Sequence, residues 1–251
     1  MKKNKVKAFY NPPSLLFRQM GSTLLMGYLN RWRNFFGWLV HHGIPSMPVA
    51  NGAWGMGCIG YPGHPVWEVT GACNLRCIHC HATSGQADAD ELTTDEGKKL
   101  IDQLAAESEF RTLIYTGGEP LVRPDIFELL RHSQKAGLAN IIATNGTLID
   151  EEMAFKLKDH GVVCNAISFD AANPDIHNMI RNKPGSFDLA MRAVEATKKA
   201  GILLQINTTA MEYNMLHLPE LIDFADQSGA GIMLMYQLVA VGRGEKLEKA
   251  T

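Results

Sequence analysis

Beyond Pro65 the chain alternates between short β-rich runs and polar helical stretches, and this alternation most limits the folds open to it. The runs are VWEVT at 66–70, TLIYT at 112–116, IIATN at 141–145, NAISFD, LLQINTT and IMLMYQLVAV. Helical stretches follow the first five; one of them, Thr94 to Ala106, carries Asp95 and Glu96 in its first turn, where acids suit the helix dipole. The sixth run has almost no helix after it. Strands joined by helical crossovers run parallel, which gives an α/β layer architecture. In barrels of that kind the chemistry gathers on loops at the strands' C-terminal ends.

Two segments precede the repeat. From Ser14 to Val40 apolar residues recur at helical spacing, with Leu16, Met20, Leu24 and Tyr28 on one row and Trp32, Phe36 and Leu39 continuing it. This predicts an amphipathic helix or a broken pair, either packed on the main domain or lying in a membrane interface with its arginines at the headgroups. From Ile44 to Pro65 glycine and proline are dense and mark a connector. The expected organisation is a helical extension over 1–43, a connector over 44–65 and a barrel over 66–251. The start MKKNKVK invites comparison with a signal peptide, but Arg18, Arg31 and Arg33 interrupt the apolar stretch, and no small-residue cleavage pattern follows. No uncharged run approaches the ~20 residues of a spanning helix. At 251 residues the chain can bury a sizeable core, and its net charge of -2 gives no broad surface for nucleic acid.

Each of the first four runs ends in residues that can carry chemistry. The first leads into GACNLRCIHC, which puts Cys73, Cys77 and Cys80 in a CxxxCxxC arrangement on one loop. Five cysteines with three bunched so tightly do not resemble a secreted disulfide framework and point to a reducing cytoplasm. Three thiolates on one loop can converge on a metal centre. Iron–sulfur clusters usually take four thiolates, so three leave one iron open. A structural zinc site is the alternative, with His79 or His81 as fourth ligand, although such sites usually pair two CxxC knuckles and no second one exists here. The second run ends TGGEPLVRPD, where Gly117 and Gly118 let backbone approach a ligand and Glu119 presents a carboxylate. The third ends with Thr144 and Asn145, and the fourth runs ISFDAANPDIHNMIR, with Ser168, Asp170 and Arg181. Asp170 and Arg181 suit either a ligand or each other. Cys58 and Cys164 stand alone and read as small buried residues.

CxxxCxxC after the first strand and GGEP after the second resemble the radical S-adenosylmethionine (SAM) superfamily, over residues 66 to 244. The resemblance implies an incomplete (β/α)6 partial TIM barrel with an N-terminal helical extension. It also implies a [4Fe–4S] cluster on Cys73, Cys77 and Cys80 whose open iron chelates the methionine end of SAM. An electron, from a donor such as ferredoxin or flavodoxin, then yields a 5′-deoxyadenosyl radical that abstracts hydrogen from substrate. On this basis Gly117, Gly118, Glu119 and Pro120 receive the methionine ammonium, Thr144 and Asn145 line the pocket, Ser168 and Asp170 face SAM, and Arg181 pairs with its carboxylate. His79 takes the place where the family puts an aromatic ring against adenine. Asn207 and the GRG at 242–244 match weaker recurrent positions, the latter near the adenine. The fourth strand departs from the family's SLDG pattern, with Phe169 for Leu and Ala171 for Gly.

HPVWEVTGACNLRCIHCHA, the HNMIR helix and INTTAMEYN resemble the branch with a C-terminal cluster-binding (SPASM or twitch) extension. That branch includes peptide maturases, alternative haem pathway enzymes such as the didecarboxysirohaem deacetylase and the haem carboxylyase, and molybdenum or tungsten cofactor maturases. The haem group is the nearest likeness, so a modified tetrapyrrole is the first substrate to consider and a peptide or another small molecule the second. No further cysteines follow the sixth strand, which suggests a fragment. A truncated module that binds cluster and SAM without turnover is a rival. With no helix to cover it, the apolar face of IMLMYQLVAV is expected to be partly bare, with association or poor solubility as the result.

Overall fold

The computed structural model describes residues 12–29, 65–107 and 110–250. Six parallel strands, β1 (Val66–Thr70), β2 (Thr112–Gly117), β3 (Ala139–Thr144), β4 (Val162–Ser168), β5 (Leu203–Ala210) and β6 (Ile232–Gln237), form one sheet in sequential order. Between them run α2 (Thr94–Ala106), α3 (Ile126–Lys135), α4 (Glu151–Asp159), the pair α5 (Pro174–Arg181) and α6 (Ser186–Lys199), and the pair α7 (Glu212–Met215) and α8 (Leu218–Gln227). Parallel neighbours cannot be joined by a hairpin, so each connection must carry a crossover. β1 and β6 are the two edges, and the sheet is the partial TIM barrel anticipated from the alternation.

Residue alternation sorts the two faces. Val69, Leu113, Tyr115, Ile142, Ile167, Leu204 and Ile206 point outward and pack with helix residues such as Ile101, Leu129, Leu157, Val194 and Leu221 into the main core. The intervening positions face the interior, where Ile114, Ile141, Cys164 and Leu203 form a small apolar cluster. Cys164 is fully buried there and its thiol is pushed up to about 12 by burial, consistent with a packing residue. Helix starts follow their caps: Thr93 and Glu96 form a reciprocal capping box ahead of α2, and Asn173 caps α5.

The strand limits differ from those read in sequence most at β4 and β6, while β3 starts two residues ahead of its run, at Ala139. β4 starts at Val162, immediately after the left-handed turn at Gly161 (φ 79°), ahead of the NAISFD run. β6 stops at Gln237; Leu238 turns into a second apolar cluster with Ile180 and Met211, so the apolar run to Val241 does not continue the ladder. Met235, Tyr236, Val239 and Val241 are exposed, and among the described residues only the 3₁₀ stretch Gly242–Ala250 follows β6.

The N-terminal helix α1 (Pro13–Leu29) packs on this end of the sheet. Its contact row is Leu15, Arg18 and Ser22, not the Leu16 and Met20 row that the apolar spacing suggested; Met20 and Phe17 are exposed. Arg18 donates from Nε to the Ala230 carbonyl (2.9 Å) and from Nη2 to the Asp226 carbonyl (2.9 Å) and carboxylate (2.6 Å), while Ser14 Oγ donates to the same carboxylate (2.5 Å). A hydrophobicity pattern cannot reveal a contact made by a guanidinium fork. The rest of the predicted extension and all of the 44–65 connector but Pro65, Cys58 included, lie outside the described residues. We expect Arg18→Ala to lower stability by about 1–2 kcal/mol, since its charged hydrogen bonds are partly solvated. Urea unfolding with hydrogen exchange of residues 13–22 checks this; unchanged protection there would show that the apolar row holds the helix instead.

Candidate active site

The loop after β1 is fastened at its start before any ligand is considered. Glu91 Oε1 accepts from Thr70 Oγ1 (2.8 Å), the Gly71 amide (2.7 Å) and the Asp88 amide (2.9 Å). Asn74 donates to Thr147 Oγ1 (2.8 Å) and accepts from Asn145 Nδ2 (2.8 Å), which ties the cysteine loop to the loop after β3. Ile78 donates its amide to the Ile180 carbonyl at the end of α5 (3.0 Å). Sequence reasoning missed Glu91, Asn74 and Thr147, because each acts on a residue from a distant segment.

Within this frame Cys77 is buried and Cys73 and Cys80 half-buried. Burial pushes the Cys73 and Cys77 thiols up, and for Cys77 it outweighs the nearby Arg181 guanidinium. Burial acts the same way on Cys80, but hydrogen bonds from Ser84 and the charge of Arg243 leave it below the ordinary thiol range. Two of the three therefore become thiolates only against a strong positive charge, which a metal centre supplies. A zinc site needs its donors on a single ion. Among the described residues no three His, Cys, Asp or Glu side chains converge in that way. A cluster instead spreads its thiolates over separate irons. His81 is largely exposed and lies 3.4 Å from Glu68.

The GGEP turn presses on the same loop. Gly117 adopts φ 125°, and a Cβ on Gly118 would collide with the Ala72 carbonyl, so the close approach needs both glycines. The Gly118 amide donates to Thr70 O (2.7 Å) and the Glu119 amide to Ala72 O (2.8 Å). Glu119 is fully buried; its carboxylate accepts from Thr144 Oγ1 (2.8 Å), the Asn145 amide (2.8 Å) and the Leu121 amide (3.2 Å). Pro120 opens the short 3₁₀ turn Pro120–Val122. Glu119, Thr144 and Asn145, separate in the sequence, are thus one hydrogen-bonded group beside Cys73.

On the other side of the loop stand Asp170 and Arg181. Their ion pair is short (Nε to Oδ2, 2.8 Å), and Arg181 Nη1 lies 3.8 Å from Cys77 Sγ. His79 Nε2 is 4.0 Å from Asp170 Oδ2. The pair is not aligned as a hydrogen bond, and both carboxylate oxygens of Asp170 and Nδ1 of His79 are buried without a well-formed one. Burial would raise the Asp170 carboxyl, but the charge of Arg181 holds it below the usual range. Burial pushes His79 down, and pushes His177 down to about 3, so both are neutral near pH 7. Asn214 holds the chain here, donating to the carbonyls of Asp170 (2.8 Å) and Thr209 (2.9 Å). Ser168 sits two residues before Asp170, in strand register with Asn207.

The donor set fits a cluster and a zwitterionic ligand. Buried acceptors and an arginine surround three thiols at the C-terminal mouth of the sheet, and several polar atoms there lack partners. An unsatisfied buried polar atom costs about 1–3 kcal/mol, a cost that ligand donors would remove.

Burial pushes the Glu119 carboxyl up to about 7 from its ordinary 4.5, even though it accepts three hydrogen bonds. A carboxyl raised on folding contributes stability that is complete below about 4.5 and is lost as pH rises through about 7. In ligand-free protein we expect a loss on the order of 3 kcal/mol across that window from this group. Glu119→Gln should flatten the slope of Tm against pH whatever it does to Tm itself, and an unaltered slope would refute the assignment.

Comparisons with known proteins agree with this geometry. The model of the Radical SAM superfamily matches residues 67–225. The AdoMet-dependent heme synthase of Methanosarcina barkeri is 40% identical over 186 residues, covering 74% of this chain and 53% of that protein. The mycofactocin maturase MftC of Mycolicibacterium smegmatis is 38% identical over 179 residues, 71% of this chain and 45% of its own. The chain spans about half the length of the curated relatives it matches. Among solved structures, Streptococcus suis SuiB bound to precursor peptide SuiA aligns with 98% of this chain and 49% of its own at TM-score 0.64 and 16% identity. Native anSMEcpe with bound AdoMet aligns with 70% and 51% at TM-score 0.59 and 21% identity, and these two likenesses speak for the fold. With a family model covering most of the barrel and the three-cysteine loop placed beside Glu119, Asp170 and Arg181, the chain belongs to the radical SAM superfamily, whose members use a [4Fe–4S] cluster and SAM.

Proposed function

We propose that this chain carries the core of an enzyme that cleaves SAM at a [4Fe–4S] cluster held by Cys73, Cys77 and Cys80. The observation that carries the proposal is the convergence of those thiols with two buried carboxylates and a buried arginine at one mouth of the sheet. When bound and reduced, the cluster and SAM supply a 5′-deoxyadenosyl radical able to abstract hydrogen from a C–H bond. The chain's own residues bind, orient and keep water out. Glu119, fixed by Thr144 and Asn145, takes the methionine ammonium together with backbone groups of Gly117, Gly118 and Pro120. Arg181 offers the methionine carboxylate a guanidinium that Asp170 holds in place, and Ser168 lines the same wall. His79, neutral and half-enclosed, takes the adenine edge.

For the substrate, relatives named AdoMet-dependent heme synthase and Fe-coproporphyrin III synthase favour a modified tetrapyrrole. A peptide is the second reading, favoured by the mycofactocin maturases and by the fold shared with peptide-bound SuiB. Incubating reduced, cluster-loaded protein and SAM with iron-coproporphyrin-type tetrapyrroles or with candidate peptides, and following both 5′-deoxyadenosine and substrate mass, separates them. Substrate-stimulated 5′-deoxyadenosine with a mass change identifies the class, and stimulation by neither removes both.

Ferredoxin or flavodoxin suits the electron supply, and a reducing cytoplasm suits the thiols. Among the described residues no helix is long and apolar enough to cross a membrane. Peripheral membrane contact would use the face of α1 that bears Phe17 and Met20.

A further inference from the structure

The segment after β6 ends on the cysteine loop. A 3₁₀ stretch, Gly242–Ala250, folds back over that loop, and Leu247, like Ile78 and Ile176, packs against the buried cluster of Ile180, Met211 and Leu238. Gly242 adopts φ 57° with the carbonyls of Cys80 and His81 so close that any side chain would collide with them. From this approach Arg243 spends its donors on the loop alone. Its amide donates to Cys80 O (2.9 Å), Nε to Cys77 O (2.8 Å) and Nη1 to Ser84 O (2.9 Å). Among the described residues no carboxylate forms an ion pair with it. Its contacts go to the backbone of Cys77 and Cys80, two of the proposed cluster ligands, and Gly244 lies against the His79 carbonyl.

We propose that Arg243 is a positioning residue for the cluster, one that clamps the carbonyls of the Cys77–Ser84 loop and sets an uncompensated positive charge beside the thiolates. The inference rests on reading Cys73, Cys77 and Cys80 as the cluster ligands. The clamp ties the segment after β6 to the loop after β1. Guanidinium geometry suits two carbonyls at once; an ammonium supplies the charge without the fork. A fixed cation near a cluster favours the reduced, more negative state, so its removal should make the cluster harder to reduce.

Arg243→Gln and Arg243→Lys separate the two effects. In cluster-free protein, amide exchange of residues 73–85 should be about tenfold or more faster in Arg243→Gln, the loss expected of two hydrogen bonds to a charged donor. Arg243→Lys should lie between it and the unaltered protein. In anaerobically reconstituted protein the reduction potential should fall in Arg243→Gln and stay near the original in Arg243→Lys. Exchange over 73–85 and a potential that are both unchanged in Arg243→Gln would overturn the proposal. If that variant does not fold, Arg243→Lys still tests it, because unaltered exchange there removes the clamp. Failure of the unaltered protein to take up iron and sulfide would instead remove the cluster reading and leave the exchange result standing.

Discussion

Protein reconstituted without oxygen is expected to hold one [4Fe–4S] cluster per chain, and Cys73→Ala, Cys77→Ala and Cys80→Ala each to abolish it. The expectation follows from three thiols on one loop, two of them raised by burial and so dependent on a metal centre to ionise. Loss of one thiolate leaves two ligands on a partly buried cluster, too few to resist dissociation. Cys164→Ala should retain full iron and sulfide, because Cys164 lies in the apolar cluster at the interior of the sheet, and so should Cys58→Ala, which the loop's spacing does not include. Iron, acid-labile sulfide and the low-temperature EPR spectrum of the reduced protein check this. Stoichiometric zinc without labile sulfide in protein purified anaerobically would sink the assignment and restore the zinc alternative.

The contrast between Cys73 and Arg243 explains what was legible in the sequence. Cys73, Cys77 and Cys80 share one loop, so their spacing alone grouped them, and the family resemblance then favoured a cluster over zinc. Glu119, Thr144, Asn145, Asp170 and Arg181 could be picked out because parallel strands bring their C-terminal ends to one mouth, and each lies at the end of a strand or on the loop or helix after it. Their grouping was not legible: that Thr144 and Asn145 serve Glu119, and that Arg181 is engaged by Asp170, depends on side-chain geometry. Whether Asp170 and Arg181 face a ligand or each other was open in sequence; they form a pair that also touches the cysteine loop. Arg243 reaches a carbonyl 166 residues away along the chain, and no local pattern encodes such a contact. The strands show a parallel lesson. β1 and β2 began where their runs began, whereas β6 lost its ladder at Gln237 while the apolar run continued. α1 is a helix as the spacing predicted, and of the two placements left open it takes the one on the domain, but with a different face: Arg18 makes the contact that apolar spacing suggested for Leu16 and Met20.

Reduction of the cluster-loaded protein by dithionite in the presence of SAM is expected to release 5′-deoxyadenosine and methionine even without substrate, slowly, because cleavage needs only the cluster and bound SAM. Glu119→Ala should weaken SAM binding by about 1.5–3 kcal/mol, roughly 10- to 150-fold, the range for a hydrogen bond to a charged group. Removal of the Asp170 carboxylate should act differently. It strips Arg181 of its buried partner, so Asp170→Asn is expected to cost about 3–5 kcal/mol of stability, and its effect on SAM should exceed that of losing one ligand contact. Calorimetric titration of SAM into each variant, with Tm measured alongside, separates a lost contact from a collapsed site. A Glu119→Ala protein that binds SAM as tightly as the original would show that the carboxylate serves only Thr144 and Asn145. If cluster and SAM are both bound and the cluster is reducible, yet no 5′-deoxyadenosine forms, the chain is a binding module rather than a catalyst.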